Sequence, residues 1–539
     1  MSQFDRLVEE ILEFFWKAWP LYATYVGVHK YDHELDNVAR DFLEDINKKN
    51  REYLIRLQKI KKNELTDEEY VDWQLLKNSL ESDIKSFEEI RYWEKQPFMY
   101  VEICVYSLFV LFLREFAPIE ERTAAILSRM KQIPKVLKDG QHNLKDSPEI
   151  FTTLTFDIVE GGKKFFETVV TALGTAVPKL KSELEKAGAQ AFAAFEDYRT
   201  FLKTKYLQRS RGDFAIGRDL FNFKLEKDHM LSYNAEEIFE IGKEAKHSTE
   251  DELKSVAQTI DANKPWWEVV NDIKKRHPKA SELLATYQQE MEATRRFVQE
   301  KNLVTIPPGE ELEVIPTPPF YRPILPYAAY MRPAPFEKQQ KGFFFVTTVE
   351  EKTTKEKQEK ILRGHSFHEI PLTAVHEGYP GHHLQLIHAN QHESKLRRLL
   401  MTTVFVEGWA LYCEEMMADA GFYSDPRTKL FKLKDQLWRA CRVIIDVGLH
   451  TKIMDYAQAV DYLVNHAKLE KVHAEKEVTR YTFTPTQPMS YLIGKKQIIE
   501  LREDYEKKLG KEFNLKEFHD RLISYGSIPI CLIRQALGI

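Results

Sequence analysis

The sequence predicts a mainly α-helical protein with a small β element in its second half. Three observations carry that prediction. Apolar residues recur at three- and four-residue spacing along most of the 539 positions, nine prolines interrupt the pattern between Ile306 and Pro335, and an aromatic, β-branched run follows at Gly342–Glu351. With 43% apolar and 30% charged residues, the composition is that of a chain that folds around a sizeable core. Its length exceeds what one hydrophobic core usually serves, so two or more subdomains are expected.

Taken in order, the N-terminal "MSQFDRLVEEILEFFWKAWP" has acidic residues where a signal peptide needs a basic region, and reads as an amphipathic helix of the mature protein. "TDEE" at Thr66–Glu69 supplies an N-cap and an acidic first turn for the next amphipathic stretch. "VYSLFVLFL" from Val105 to Leu113 is the most apolar window, about half the length a membrane span needs, and is expected as a buried helix. No association with a membrane is expected. Further helices fit Pro118–Met130, Pro178–Tyr206, Ala235–Ile260 and Lys279–Lys301, with prolines suited to opening the first two.

These helices make residues 1–301 a helical N-terminal region. Residues 302–341 form a proline-rich connection, because proline removes a donor and clashes with the preceding turn. Residues 342–539 form a second helical region that opens on the short strand; another strand fits Glu311–Ile315. Helical patterning resumes at His365 and breaks only around Thr482–Ser490. No internal repeat points to a solenoid.

Acidic residues number 83 against 78 basic ones, a net charge of −5, so no basic field draws nucleic acid. Cys104, Cys413, Cys441 and Cys531 are widely spaced and form no C-x-x-C pair. They fit small core hydrophobes in a reducing compartment, and a cytoplasmic location is expected.

Seven of the 17 histidines fall between His365 and His392. Within that stretch "HEGYPGHHLQ" (His376–Gln385) begins like the zinc-hydrolase signature H-E-x-x-H, yet Pro380 stands where the second histidine belongs. From an unbroken helix, His376 and His382 would point about 120° apart, and His376 and His383 would lie about 10 Å apart along the axis. Neither pair could chelate an ion. Pro380 and Gly381 supply the break that allows a later histidine to come round, with His382 the first choice as partner and His383 left facing substrate or orienting a ligand.

A third ligand should come from a neighbouring helix. Glu407 in "MTTVFVEGWALYCEEMM" is flanked by apolar residues, and a buried carboxylate there needs a partner. Glu414 and Glu415 are alternatives or orienting groups. The competing explanation has the histidines satisfying helix ends and Glu407 in a buried ion pair with Arg439 or Arg442.

"HEGYPGHHLQ", "VEGWALYCEE", "LWRACRVIIDVGLH", "PMSYLIGKKQIIELRE" and "FHDRLISYGSIPICLI", together with the N-terminal "WPLYATYVGVHKYDHELD", resemble in order the bacterial and archaeal family called domain of unknown function 885. That family is grouped with the gluzincin metallopeptidases, whose angiotensin-converting-enzyme and thimet-oligopeptidase types are long, two-lobed helical molecules with a deep central cleft. The resemblance implies one Zn²⁺ and peptide hydrolysis. It matches His376 and Glu407 to metal ligands and Glu377 to the general base on a zinc-activated water, while Pro380 departs from its pattern and leaves the second histidine, His382 or else His383, to the residue reading above. Tyr491 or His450 would donate to the oxyanion, and Arg442, Lys495 or Arg534 would bind a substrate carboxylate, with His383 facing substrate. The Gly342–Glu351 strand would pair with an extended peptide along a sheet edge, or else form a core hairpin.

The expected function is therefore that of a zinc-dependent peptidase acting on short peptides. Two other readings stay open: a non-catalytic helical binding protein that keeps the fold, and a metal-dependent amidase on non-peptide amides. The sequence sets neither the oligomeric state nor the exo- or endo-mode.

Overall fold

A computed structural model of the chain describes residues 2–318, 322, 327–350 and 353–539. It is mainly helical with one three-stranded sheet. The chain divides into two compact units. One comprises Met1–Phe214 with Pro318–Ile324 and Ala334–Gln339; the other comprises Ala215–Thr317, Leu325–Pro333 and Gln340–Ile539. This differs from the expected division: the chain changes unit near residue 214 in the midst of the helical region, and the proline-rich connection is shared out between both units. Residues 319–321 and 323–326 of that connection lie outside the described residues.

The first unit is a set of helices whose ends follow local chemistry. Gln3–Ala18 begins at a Ser2–Asp5 capping box and Asp67–Lys85 at a Thr66–Glu69 capping box, each satisfying two otherwise orphaned N–H groups. The apolar window belongs to helix Pro97–Leu113, which is buried. Among the described residues, no single helix is long and apolar enough to cross a membrane. The helix expected at Pro118–Met130 runs from Ile119 to Asn143, through Pro134. The buried side chains of Ile133, Val136 and Leu137 hold it together where the proline withholds a hydrogen bond.

In the second unit, helix Ala235–Ile260 packs along helix Pro426–His450, where Gly242 meets Val443 and Ile444. The sheet consists of β1 (Glu310–Pro316), β2 (Ala328–Met331) and β3 (Gln340–Val346), in the order β1-β3-β2. β3 runs parallel to β1, with Leu312 opposite Gly342, and antiparallel to β2, with Tyr330 opposite Phe344. The strand expected to offer an open edge is thus the central one, hydrogen-bonded on both sides. Phe343, Phe344, Phe345 and Val346 are all buried, which suits an uninterrupted apolar run. With β2, the strand before it in the chain, it forms an antiparallel pair, so the buried hairpin of the alternative reading is present, extended by β1 on its other side.

Candidate functional site

The site is built within the second unit by two breaks in helical structure and one close helix crossing. Helix Ile370–Glu377 ends at Gly378, whose N–H donates to the Ala374 carbonyl at 2.9 Å. The chain then loops out, with the Tyr379–Pro380 peptide cis. Gly381 N–H donates back to the Val375 carbonyl at 3.0 Å, and a new helix, His382–Asn390, starts at the next residue. A Cβ on Gly381 would lie 2.0 Å from the His376 carbonyl oxygen, so only glycine allows this approach. Trp409, fully buried, donates its indole N–H to the Pro380 carbonyl at 2.9 Å and ties the loop to helix Thr403–Asp419. That helix crosses helix Ser490–Leu509 at Gly408 and Gly494, so closely that a Cβ on Gly408 would lie 2.5 Å from Gly494 backbone.

These devices bring His376, His382 and Glu407 together. Among the described residues they are the one group of three His, Cys, Asp or Glu whose donor atoms all lie within 4.8 Å of one another. Glu407 Oε2 is 3.2 Å from His382 Nε2 and 3.7 Å from His376 Nε2. A tetrahedral ion about 2.1 Å from each ligand would space its ligand atoms by roughly 3.4 Å. Glu407 Oε2 is buried and has no well-formed hydrogen bond, which is the state of an oxygen waiting for a cation. The donor set, two imidazoles and one carboxylate, is one that Zn²⁺ takes in catalytic sites. The residues present therefore fit that ion.

The surrounding charges favour a cation as well. Burial disfavours the His376 imidazolium, yet the nearby Glu407 and Glu414 carboxylates outweigh it and raise the group to about 9. Burial pushes the Glu407 carboxyl up, but the His382 and His376 rings hold it well below the usual range. On its other side, His376 Nδ1 donates to Glu414 Oε1 at 2.9 Å, and Arg439 Nη2 donates to the same oxygen at 3.3 Å. Glu414 thus orients the ring so that Nε2 faces Glu407. The side chain of Glu377, half-buried on the last turn beside His376, makes no hydrogen bond or ion pair with any described residue.

The family model described as "Bacterial protein of unknown function (DUF885)" matches residues 20–537. The chain belongs to the DUF885 family. No curated protein matches it. Two solved structures share the DUF885 fold over its full length. One, described as "a putative lipoprotein of unknown function" from Shewanella oneidensis, is 24% identical with a TM-score of 0.82, and the match covers 100% of both chains. The other, described as "the putative lipoprotein" from Colwellia psychrerythraea, is 17% identical with a TM-score of 0.85, and the match covers 100% of this chain and 99% of that one. These relatives overturn the expected cytoplasmic location, which rested on the cysteines. Cys104, Cys413 and Cys441 are buried free thiols and Cys531 an exposed one, a pattern that small core residues produce in any compartment.

Several residues singled out from the sequence of this DUF885 chain stand elsewhere or are otherwise engaged. His383 is fully buried, its ring bonded to Glu310 Oε2 at 2.7 Å and to the Tyr330 hydroxyl at 3.0 Å, so it has no face left for substrate. It secures the new helix to β1 and β2. His450 is fully buried against Phe221, with Nε2 on the Tyr481 carbonyl at 3.0 Å, and is not an oxyanion donor. Lys495 is spent on Glu415 at 2.7 Å and Gln436 at 2.8 Å, and Arg534 on Asp504 at 2.8 Å. Arg442 lies over the Tyr491 ring at 4.8 Å but donates to the Tyr481 hydroxyl and Glu477, so it braces the site instead of offering an open anchor. Neither Arg439 nor Arg442 pairs with Glu407, so the arginine partner of the competing explanation is not the one this carboxylate has; its charged neighbours are His376 and His382.

Tyr491 does stand at the site: its ring is nearly parallel to that of His376 at 6.2 Å, and its hydroxyl accepts from Gln487 at 3.2 Å. Two contributors escaped the sequence. Glu310, on β1 and almost completely buried, receives His383, Tyr379 and Arg295. Gln487 lies in the helix break at 484–489. Neither carries a motif; a carboxylate opening a strand after "IPPG" is the one signal that could have drawn attention to Glu310.

Proposed function

We propose that this protein is a zinc-dependent peptidase of short peptides. The observation that carries the reading is the convergence of His376 Nε2, His382 Nε2 and Glu407 Oε2 with an unpaired carboxylate, Glu377, beside them. Three protein ligands leave one position of a tetrahedral zinc open, the arrangement of catalytic rather than structural sites. Zinc held there supplies a Lewis acid that polarises a carbonyl and acidifies water at neutral pH.

Glu377 takes the proton of the attacking water and delivers it to the departing amine, a task that needs a carboxylate free of other partners. The Tyr491 hydroxyl donates to the oxygen that becomes negative during attack. Glu414 and Arg439 keep His376 in one tautomer throughout. The resemblance to gluzincin metallopeptidases favours peptides over other amides, and the lipoprotein description of the relatives favours work outside the cytoplasm.

The test is Glu377→Gln, assayed on a mixed library of short peptides with and without a chelator. Wild-type protein should cleave in a chelator-sensitive manner, and the variant should retain stoichiometric zinc while losing about 10²–10⁴ in rate. Undiminished hydrolysis by the variant, or hydrolysis indifferent to chelation, would refute the proposal.

A further inference from the structure

The connection between Phe483 and Ser490 is held more firmly than joining two helices requires. Fully buried Asp446 accepts from the Thr486 N–H at 3.2 Å and from the Met489 N–H at 3.1 Å. His229 bridges the hydroxyls of Thr402 and Thr486 at 2.8 and 2.9 Å. Thr486 itself sits at φ 70°, a region that a β-branched residue enters only where its surroundings impose it, and such residues gather at working sites.

What this connection presents is Gln487. Arg480 Nη1 donates to Gln487 Oε1 at 2.8 Å, and since a guanidinium has only donors, this fixes which end of the amide is oxygen. The amide nitrogen consequently faces two acceptors, Glu407 Oε1 at 3.4 Å and the Tyr491 hydroxyl at 3.2 Å. The NH₂ group has one proton for each of them.

We infer that Gln487 is a positioning residue that confines Glu407 to a single metal-facing oxygen and leaves the Tyr491 hydroxyl proton free to donate elsewhere. The inference rests on the zinc reading above. With Oε1 engaged by the amide, Oε2 is the oxygen turned to both histidines, as observed. Without the amide, Oε1 can swing onto the ion as a second ligand from the same carboxylate. That would fill the position a water or substrate needs. Tyr491, already accepting one hydrogen bond from Gln487, does not spend its own proton there.

Co²⁺ replaces Zn²⁺ as a spectroscopic probe, because its visible absorption is intense in four-coordinate sites and weakens as coordination number rises. Metal-free wild-type protein, Gln487→Leu and Tyr491→Phe are titrated with Co²⁺, and zinc affinity is read by competition. The wild type and Tyr491→Phe should give the intense band. Gln487→Leu should give a weaker band and bind zinc about 10–100-fold less tightly, the usual effect of losing a group that orients a ligand. Should Gln487→Leu not fold, as judged by circular dichroism, Gln487→Met takes its place with the same expectation. A wild-type band and wild-type affinity in the folded Gln487 variant overturn the inference and leave the zinc reading standing. A wild-type protein that takes up neither Co²⁺ nor Zn²⁺ overturns both.

Discussion

Trp409→Phe isolates the contact that joins the two halves of the site. The indole is fully buried beside Tyr412 and His519 and donates to the Pro380 carbonyl at 2.9 Å. Phenylalanine keeps the aromatic packing but leaves that carbonyl without its donor, at about 1–3 kcal/mol, and a small void at about 1 kcal/mol. The combined loss is roughly 2–4 kcal/mol. Pro380 lies in the loop that sets His382 against His376, so the loss should fall on the metal-competent arrangement and not only on global stability. Expressed wholly there, it weakens zinc by about 30- to 10³-fold. The assay is competition against a chromophoric zinc chelator, run beside urea unfolding of the metal-free protein. A variant that loses the stability yet binds zinc as the wild type does would reduce Trp409 to an ordinary core residue. One that loses neither would show that the hydrogen bond does not hold the loop.

Two further outcomes follow from buried polar groups. Glu414→Gln removes the charge that orients His376 and should weaken zinc by about 10–100-fold in the same competition assay; a change under about threefold would mean that Arg439 and packing suffice. His519→Gln concerns pH. Its Nδ1 donates to the Leu303 carbonyl and its Nε2 accepts from the Tyr412 hydroxyl, and burial lowers the group to about 4. The unfolded chain therefore takes up a proton near pH 6.5 that the folded protein refuses until about pH 4. The stability tied to His519 is present above pH 6.5 and is lost as the pH falls through that window, by up to about 1.4 kcal/mol per pH unit. Urea unfolding at pH 7 and pH 4.5 should show the advantage of wild type over His519→Gln shrinking at the lower pH; an unchanged difference would contradict the neutral, buried assignment.

How much of this was legible in the sequence depended on how local the cause was. The cap at Thr66, the helix Ala235–Ile260 and the break at Pro380–Gly381 are determined by neighbours along the chain, and pattern was enough to find them. The choice of His382 and Glu407 followed from the same logic, because a break between His376 and His382 is the smaller correction. The fate of His383 was illegible, since its partners Glu310 and Tyr330 come from strands more than fifty residues away. The central position of β3 likewise depends on a parallel pairing with β1 that no periodicity records. Gln487 looked like part of a proline-bracketed loop, and only the fold discloses that Asp446 and His229 fix that loop against Glu407. The boundary near residue 214 falls between stretches of similar helical composition, whereas the prolines of 302–341, which do stand out, mark a stretch where the chain passes back and forth between the two units.

The account rests on one ion held by His376, His382 and Glu407, and the most direct measurement is metal content. Purified protein, equilibrated with zinc and then dialysed, should carry one zinc per chain by elemental analysis, and His382→Ala should carry none while remaining folded by circular dichroism. Zinc absent from the wild type, or undiminished in a folded His382→Ala variant, would contradict it.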